Sequence, residues 1–347
     1  MLIAIDASPT RTAHKTRGIG SYTTNIITSL KETDKDFKIK EFYSPKNPPR
    51  ADIIHYPYFD LFFHSLPLRA KTTRVVTVHD VIPLVFPKHF KSGIKGKLNL
   101  HLQKLALKNT AAVLCDSQTS KKDIAQKLAY PAEKIHVIYL APGKNFRKTN
   151  DQKLLEKVSQ KYSLPKKFIL YVGDINWNKN LPNLLKSIKL TGVNLVAVGN
   201  AIADANLEQT KSLTAQIESL GIQNKVRIVG YVPESDLVSI YNLAVVTVLP
   251  SFYEGFGLPV VESMACGTPV ICSNNSSLAE IGGDAAIYCD PESPQNVSEQ
   301  ILNVINLSPG ERAALENKSL VNASKFSWVK TAMETSKVYK SLRVDNE

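Results

Sequence analysis

Short β-rich runs, most of them nearly continuous Val, Ile, Leu, Ala and Tyr, recur along the chain, separated by helical stretches. The first half carries such runs at Leu2–Ser8, Lys38–Ser44, Asp52–Tyr56, Arg74–Asp80, Ala111–Asp116 and Ile135–Leu140. The second half carries them at Phe168–Gly173, Asn194–Gly199, Val226–Tyr231, Val245–Pro250, Pro269–Cys272 and Ala286–Cys289. Runs without polar alternation predict parallel strands covered on both faces. The stretches between them predict helices, among them Gly20–Lys31, Ser117–Leu128, Leu181–Lys189 and Ser235–Leu243, with a closing helix over Ser327–Leu342. Strand and helix alternating in two series predict an α/β chain with two Rossmann-like, doubly wound parallel sheets.

The length of 347 residues suits two domains. A charged link, Lys148–Lys167, ending Leu164-Pro165-Lys166-Lys167, reads as a hinge-like connection. It sets the expected domains at residues 1–165 and 166–326, with residues 327–347 as a helix packing back toward the first. Ligands of open parallel sheets bind beyond the carboxyl ends of strands, so the expected site is a cleft between the two sheets. Met1–Asp6 lacks a basic start and reads as a first strand, not a leader, and no apolar stretch nears the roughly 18 residues of a spanning helix. Cys115, Cys266, Cys272 and Cys289 form no C-x-x-C pair and read as buried free thiols of a cytoplasmic protein.

Charge sharpens the picture. The net charge is +12, but residues 1–165 hold 28 Lys+Arg against 13 Asp+Glu, a balance of +15, and the remainder is slightly acidic. Such asymmetry fits a first half facing something anionic: nucleic acid, acidic lipid or a phosphorylated substrate. A face of solvated lysines is the alternative reading. No helix-turn-helix, zinc or RNP pattern supports nucleic acid, and none is expected as a partner. In Lys91–Lys108, Ile94, Leu98, Leu102 and Leu105 share one helical stripe with Lys97, Lys104 and Lys108 largely off it. That stripe serves either as a core-packing face or as a reversible anchor on an anionic membrane surface.

Three segments at strand ends carry candidate chemistry. Arg17-Gly18-Ile19-Gly20-Ser21-Tyr22 opens the first helix and reads as a turn or a phosphate cradle; it lacks the third glycine of a dinucleotide site. Tyr171-Val172-Gly173-Asp174-Ile175-Asn176-Trp177-Asn178-Lys179 places a lysine near a helix N-terminus, against the local dipole, as an anion between them would require. Pro250-Ser251-Phe252-Tyr253-Glu254-Gly255-Phe256-Gly257-Leu258 leads into a helix that carries Glu262 in an apolar run. Two carboxylates there suit a polyol, whose hydroxyls they accept. No second carboxylate lies close to Asp174, so no divalent metal is expected.

Tyr-Glu-Gly-Phe-Gly-Leu-Pro-Val-Val-Glu, followed by Met-Ala-Cys-Gly-Thr-Pro-Val-Ile, resembles the retaining glycosyltransferases of the GT-B fold, family 4. Tyr-Val-Gly-x5-Lys-Asn-Leu resembles their donor-diphosphate loop. Gly-Ile-Gly-Ser-Tyr, Val-His-Asp-Val-Ile-Pro-Leu and Asp-Ser-Gln-Thr-Ser-Lys-Lys-Asp-Ile resemble their N-terminal signatures. The resemblance implies that Lys179 neutralises the diphosphate of a nucleotide sugar, that Glu262 holds the ribose, and that Glu254 meets the transferred sugar with Gly255, Phe256, Gly257 and Leu258. It implies that Gly173, Gly18 and Gly20 line the phosphates and that His79 lies near the sugar, with Asp80 orienting it or capping a helix. Family members often carry an arginine right after the strand glycine or just before the lysine. Here those positions are Asp174 and Asn178, which leaves Arg17 as the helper cation. The resulting expectation is a retaining, metal-independent hexosyltransferase with no cofactor beyond its nucleotide-sugar donor, GDP-mannose or a UDP-sugar. Its acceptor would be a saccharide or lipid-linked saccharide. A nucleotide-sugar epimerase of the same architecture is the alternative, ahead of a nucleic-acid-binding protein.

Overall fold

Each of the twelve apolar runs forms a strand, and the strands gather into two separate six-stranded sheets. The computed structural model describes residues 1–12, 15, 18–69 and 72–344. In the first sheet β1 (Leu2–Asp6), β2 (Lys38–Phe42), β3 (Ile53–Tyr56), β4 (Thr73–Thr77), β5 (Ala112–Cys115) and β6 (Ile135–Val137) lie in the order β2-β1-β3-β4-β5-β6. All its neighbours are parallel, and the order reverses between β1 and β3. Helices α1 (Gly18–Thr33), α2 (Ile82–Val85), α3 (Ile94–Lys108) and α4 (Gln118–Leu128) lie among these strands in sequence. Strand pairing stops short of the apolar runs: β4 ends at Thr77, Val78 still donates to the Leu114 carbonyl of β5 at 2.9 Å, and His79 and Asp80 lie beyond the sheet. Ala4, Ile54, Val76 and Val113 form the centre of one buried cluster with Leu107 and Ile124 of the helices.

A buried arginine ties α3 to this sheet. Arg74, inside β4, donates from Nη2 to the carbonyls of Ala106 and Asn109 at 3.2 Å each and from Nη1 to Pro67. Its cation thereby meets the negative end of the α3 dipole.

The second sheet holds β7 (Ile169–Val172), β8 (Leu195–Val198), β9 (Val226–Val229), β10 (Val246–Leu249), β11 (Val270–Ser273) and β12 (Ile287–Cys289) in the order β12-β11-β10-β7-β8-β9. Counting from β7, this is the Rossmann order 3-2-1-4-5-6, with its reversal between β7 and β10. Its helices are α5 (Gln152–Tyr162), α6 (Leu181–Thr191), α7 (Glu208–Leu220), α8 (Glu234–Leu243), α9 (Leu258–Ala265), α10 (Ser276–Gly282), α11 (Pro294–Ile305) and α12 (Pro309–Ala323). Ile169, Tyr171, Leu184, Val246 and Ile271 are fully buried at its centre. All four cysteines are buried free thiols.

The domain boundaries differ from the sequence reading. The compact units are residues 1–141 with the chain from Phe326 onward, and residues 142–325. The charged link Lys148–Lys167 of the sequence reading lies inside the second unit, and α5 forms within it. Asp151 caps α5, accepting from the Leu154 N–H at 3.1 Å, and Leu155 and Val158 bury one face. Tyr162 and Lys161 both donate to Asp236 of α8, at 2.8 and 2.6 Å. The last helix, α13 (Trp328–Val344), belongs to the first unit. Thr331 donates to the Tyr139 carbonyl at 2.7 Å, and the Tyr339 hydroxyl lies 2.6 Å from His55 Nδ1. His55 Nε2 is 2.8 Å from the Thr77 hydroxyl, which is 2.9 Å from the Tyr22 hydroxyl. One buried polar chain thus joins α13, β3, β4 and α1. Burial pushes His55 down to about 3, so it is neutral and able to donate through only one nitrogen.

Candidate active site

The reversal point of the second sheet brings together two loops that are 75 residues apart in the chain. The loop after β7 ends in a 3-10 turn, Trp177–Lys179, and the loop after β10 carries Ser251–Gly257. Lys179 Nζ lies 2.8 Å from both Glu254 oxygens. Glu254 is buried, and its Oε1 also accepts from Ser251 at 2.8 Å. The backbone of Glu254 is held as well: its N–H donates to Ser276 at 3.0 Å, and its carbonyl accepts from Ser277 at 2.9 Å. Lys179 and Glu254, given separate roles by the sequence reading, therefore form one ion pair in this structure.

Asn178 explains the missing arginine. It is buried; its side chain donates to the Tyr253 carbonyl at 2.9 Å, and its own carbonyl accepts from the Phe252 N–H at 2.8 Å. Trp177 stacks on Phe252 with centroids 5.0 Å apart and planes at 25°. Asn180 follows, donating to the carbonyls of Pro250 at 2.8 Å and Pro291 at 2.7 Å. The position before the lysine thus fastens the two loops together. Asp174 is turned to its own backbone, where Oδ1 accepts from the Ile175 N–H at 2.9 Å.

Glycines set how closely these loops approach. A Cβ on Gly199, after β8, would fall 2.0 Å from the Gly173 carbonyl oxygen, so the two strand ends touch through bare backbone. Gly257 has φ +98°, and a Cβ there would meet Leu278 at 2.7 Å. It precedes α9, whose first residue is Leu258, and Phe256 before it is buried while Gly255 is half-buried. Glu262 lies one turn into α9, half-buried, and accepts from the Tyr241 hydroxyl of α8 at 2.9 Å. Burial raises its carboxyl from 4.5 to about 7, the Tyr241 hydrogen bond opposes this, and the charge of Glu234 adds to it.

In the first unit, Gly18 and Gly20 lie in the first turn of α1, exposed and buried respectively. Arg17 lies outside the described residues. His79 sits two residues past β4, and both of its ring nitrogens are engaged: Nδ1 is 2.7 Å from Asp116 Oδ2, and Nε2 is 3.2 Å from the Pro57 carbonyl. Both neighbours present acceptor oxygens, so a doubly protonated ring finds a partner at each nitrogen. Burial opposes that charge, but the Asp116 carboxylate and its hydrogen bond outweigh it, and His79 is held above its ordinary value. Tyr22 meets the ring edge-on at 4.8 Å. The residue orienting His79 is therefore Asp116, at the end of the neighbouring strand β5, and not Asp80. Asp80 instead accepts from the Ile82 N–H at 3.0 Å and starts α2.

Sequence reasoning did not single out Ser276, Ser277 or Gly199 as site residues, and it quoted Ser251 and Asp116 only within longer segments. All five lie at or just beyond the carboxyl ends of strands, which was the available signal. Among the described residues, no group of three or more His, Cys, Asp or Glu is arranged to hold a metal ion, and no helix is long and apolar enough to cross a membrane.

Comparison with known proteins accords with this geometry. Residues 153–320 match the family described as glycosyl transferases group 1, and residues 37–141 match Glycosyltransferase Family 4. O-antigen chain mannosyltransferase B of Escherichia coli is 30% identical over 308 residues, covering 87% of this chain and 80% of that protein. Sucrose-phosphate synthase from Thermosynechococcus elongatus superimposes with a TM-score of 0.78 at 16% identity, covering 99% of this chain and 100% of that one. Anabaena HepE in complex with UDP-glucose does so with a TM-score of 0.77 at 18% identity, covering 98% and 100%. With two doubly wound sheets and both halves matched, the chain belongs to the family-4 glycosyltransferases and has the GT-B fold.

Proposed function

We propose that this glycosyltransferase moves mannose from GDP-mannose to a saccharide or lipid-linked saccharide acceptor, with retention and without a metal ion, in the assembly of a cell-surface polysaccharide. The observation that carries the reading is the Lys179–Glu254 pair at the reversal point of the second sheet, beside the α6 and α9 N-termini. Two of the three Lys179 donors face Glu254, and the third remains for a ligand oxygen. As the anomeric C–O bond breaks, negative charge grows on the leaving diphosphate, where Lys179, backbone amides and helix N-termini would stabilise it. Glu254, released in part toward the sugar, would accept from its hydroxyls, and Ser251 would keep its carboxylate in place. Glu262 would accept from the ribose.

In the first unit, Gly18 and Gly20 would offer amides to phosphate. His79, with both nitrogens engaged by Asp116 and the Pro57 carbonyl, would supply positive charge when protonated. The choice of mannose rests on the likeness to O-antigen chain mannosyltransferase B, and UDP-glucose, bound by HepE, is the competing donor.

The test incubates the protein with GDP-mannose or UDP-glucose, a saccharide acceptor and EDTA, and reads the product's anomeric configuration by NMR. Retained α-mannoside from GDP-mannose supports the reading. Turnover of UDP-glucose alone overturns the donor, an inverted product overturns retention, and a free epimerised sugar points to an epimerase.

A further inference from the structure

Met264-Ala265-Cys266-Gly267-Thr268-Pro269 takes no part in the chemistry above. Met264 and Ala265 end α9, and residues 266–269 lead into β11. Within them Thr268 reaches the neighbouring helix: its hydroxyl donates to the Tyr241 carbonyl of α8 at 2.7 Å. Thr268 is itself held by Ser263 of α9, whose carbonyl accepts from the Thr268 N–H and whose hydroxyl donates to the Thr268 carbonyl, each at 3.0 Å. Tyr241 is fully buried, and its ring meets Phe146 with centroids 5.8 Å apart and planes at 66°. Backbone and ring are therefore both fixed, and the hydroxyl ends 2.9 Å from Glu262 Oε2.

A buried phenol without a hydrogen-bond partner is costly, so this bond is in place before a ligand arrives. Burial, and then the Glu262 carboxylate beside it, hold the phenol well above its ordinary value, so Tyr241 donates and Glu262 accepts. Oε1 of Glu262 has no hydrogen bond among the described residues, and one donor leaves most acceptor positions of a carboxylate open. A glutamate ordered by its ligand loses rotamer entropy at that moment, whereas one ordered beforehand does not. From this geometry we infer that Tyr241, braced by Thr268 and Phe146, is the positioning residue that presets Glu262 to accept the ribose hydroxyls of the nucleotide. The inference rests on the ribose role proposed above for Glu262. The titratable groups facing Glu262 among the described residues are Tyr241 and Glu234 of α8 and its helix neighbour Cys266. Of these, the Tyr241 hydroxyl favours the ionised carboxylate and Glu234 opposes it, so Tyr241 acts on the charge of Glu262 as well as on its direction.

The test is calorimetric titration of the full chain with GDP, with UDP and with their 2′,3′-dideoxy forms, from about pH 6 to about pH 9. The proteins are wild type, Tyr241→Phe, Glu262→Gln and the double variant. For whichever nucleotide binds, Tyr241→Phe weakens Kd at neutral pH by about 10–100-fold, as loss of a hydrogen bond to a charged group would. It also moves the midpoint of the pH dependence upward, because the ionised carboxylate has lost its donor. Donor KM rises in step with Kd, while kcat at saturating donor changes by less than about threefold. Added to Glu262→Gln, the same substitution costs less than about threefold, since the two residues act as one unit. Thr268→Val keeps the phenol but loosens its support, and weakens Kd about two- to tenfold. An unchanged Kd in Tyr241→Phe beside a weakened one in Glu262→Gln, additive losses in the double variant, or an unmoved midpoint would each overturn the inference. So would a loss of kcat and melting temperature with Kd intact, the mark of a purely structural residue. Equal binding of ribo- and dideoxynucleotide by wild type would remove the ribose role of Glu262 itself, whereas a preference for ribose that survives Tyr241→Phe undiminished overturns the role of Tyr241 alone.

Discussion

Glu262→Gln tests the electrostatics of the second unit most directly. In the folded chain burial raises this carboxyl from 4.5 to about 7, while the unfolded chain titrates near 4.5. Between those values the folded state holds a proton that the unfolded state has lost, so stability falls as pH rises through the window and the loss is complete above it. At pH 8 the ionised carboxylate costs the fold about 3 kcal/mol at 1.36 kcal/mol per tenfold change, and at pH 5 the cost is under about 1 kcal/mol. Glutamine keeps an acceptor for Tyr241 and carries no charge. The variant should therefore melt about 5–10 °C above wild type at pH 8, with most of the gain gone at pH 5, as read by circular dichroism. The same series with nucleoside diphosphate should show wild-type binding strengthening above pH 7, where the carboxylate can accept two ribose hydroxyls, and weak, pH-independent binding by the variant. An equal gain at both pH values, or a loss at pH 8, would mean that Glu262 is ionised and paired in the fold, and the argument from burial would fail.

Lys179→Met leaves Glu254 buried without its cation and should cost about 3–5 kcal/mol of stability and 10²–10³-fold in kcat. Adding Glu254→Gln should restore the melting temperature but not the rate; restored turnover in that pair would remove both residues from the chemistry. Asp116→Asn takes away the carboxylate that holds His79 above its ordinary value, so the imidazole resonances of His79 should titrate at lower pH, and an unmoved titration would contradict the pairing. Tyr339→Phe deprives the buried His55 of its partner on α13 and should cost about 1–3 kcal/mol in thermal unfolding; a neutral effect would mean that His55 is satisfied without it.

The strands were legible because a parallel sheet covered on both faces needs uninterrupted apolar runs, and such runs stand out in any reading. The α5 helix was hidden because only Leu155 and Val158 are buried in it among charged neighbours. Periodicity located the Ile94–Leu98–Leu102–Leu105 stripe but did not give its direction, since α3 packs instead through Gln103, Ala106 and Leu107, of which only Leu107 carries a strong hydrophobic signal. Lys179 and Glu254 were each found by local context. Their meeting depends on β7 lying beside β10, a matter of strand order that no local pattern encodes. Asp80 drew attention as the neighbour of His79 in sequence, whereas the partner in space, Asp116, comes from the adjoining strand.

The return of α13 to the first unit has a consequence for synthesis. A ribosome releases residues 142–325 as one continuous stretch that can complete its own sheet as soon as it emerges. The earlier-made half must wait with α1 uncovered and His55 Nδ1 without Tyr339 until Trp328–Tyr339 leaves the exit tunnel. The order of completion is thus opposite to the order of translation, and premature termination before Trp328 would release a finished second unit attached to an unfinished first one, a ready substrate for quality-control proteases.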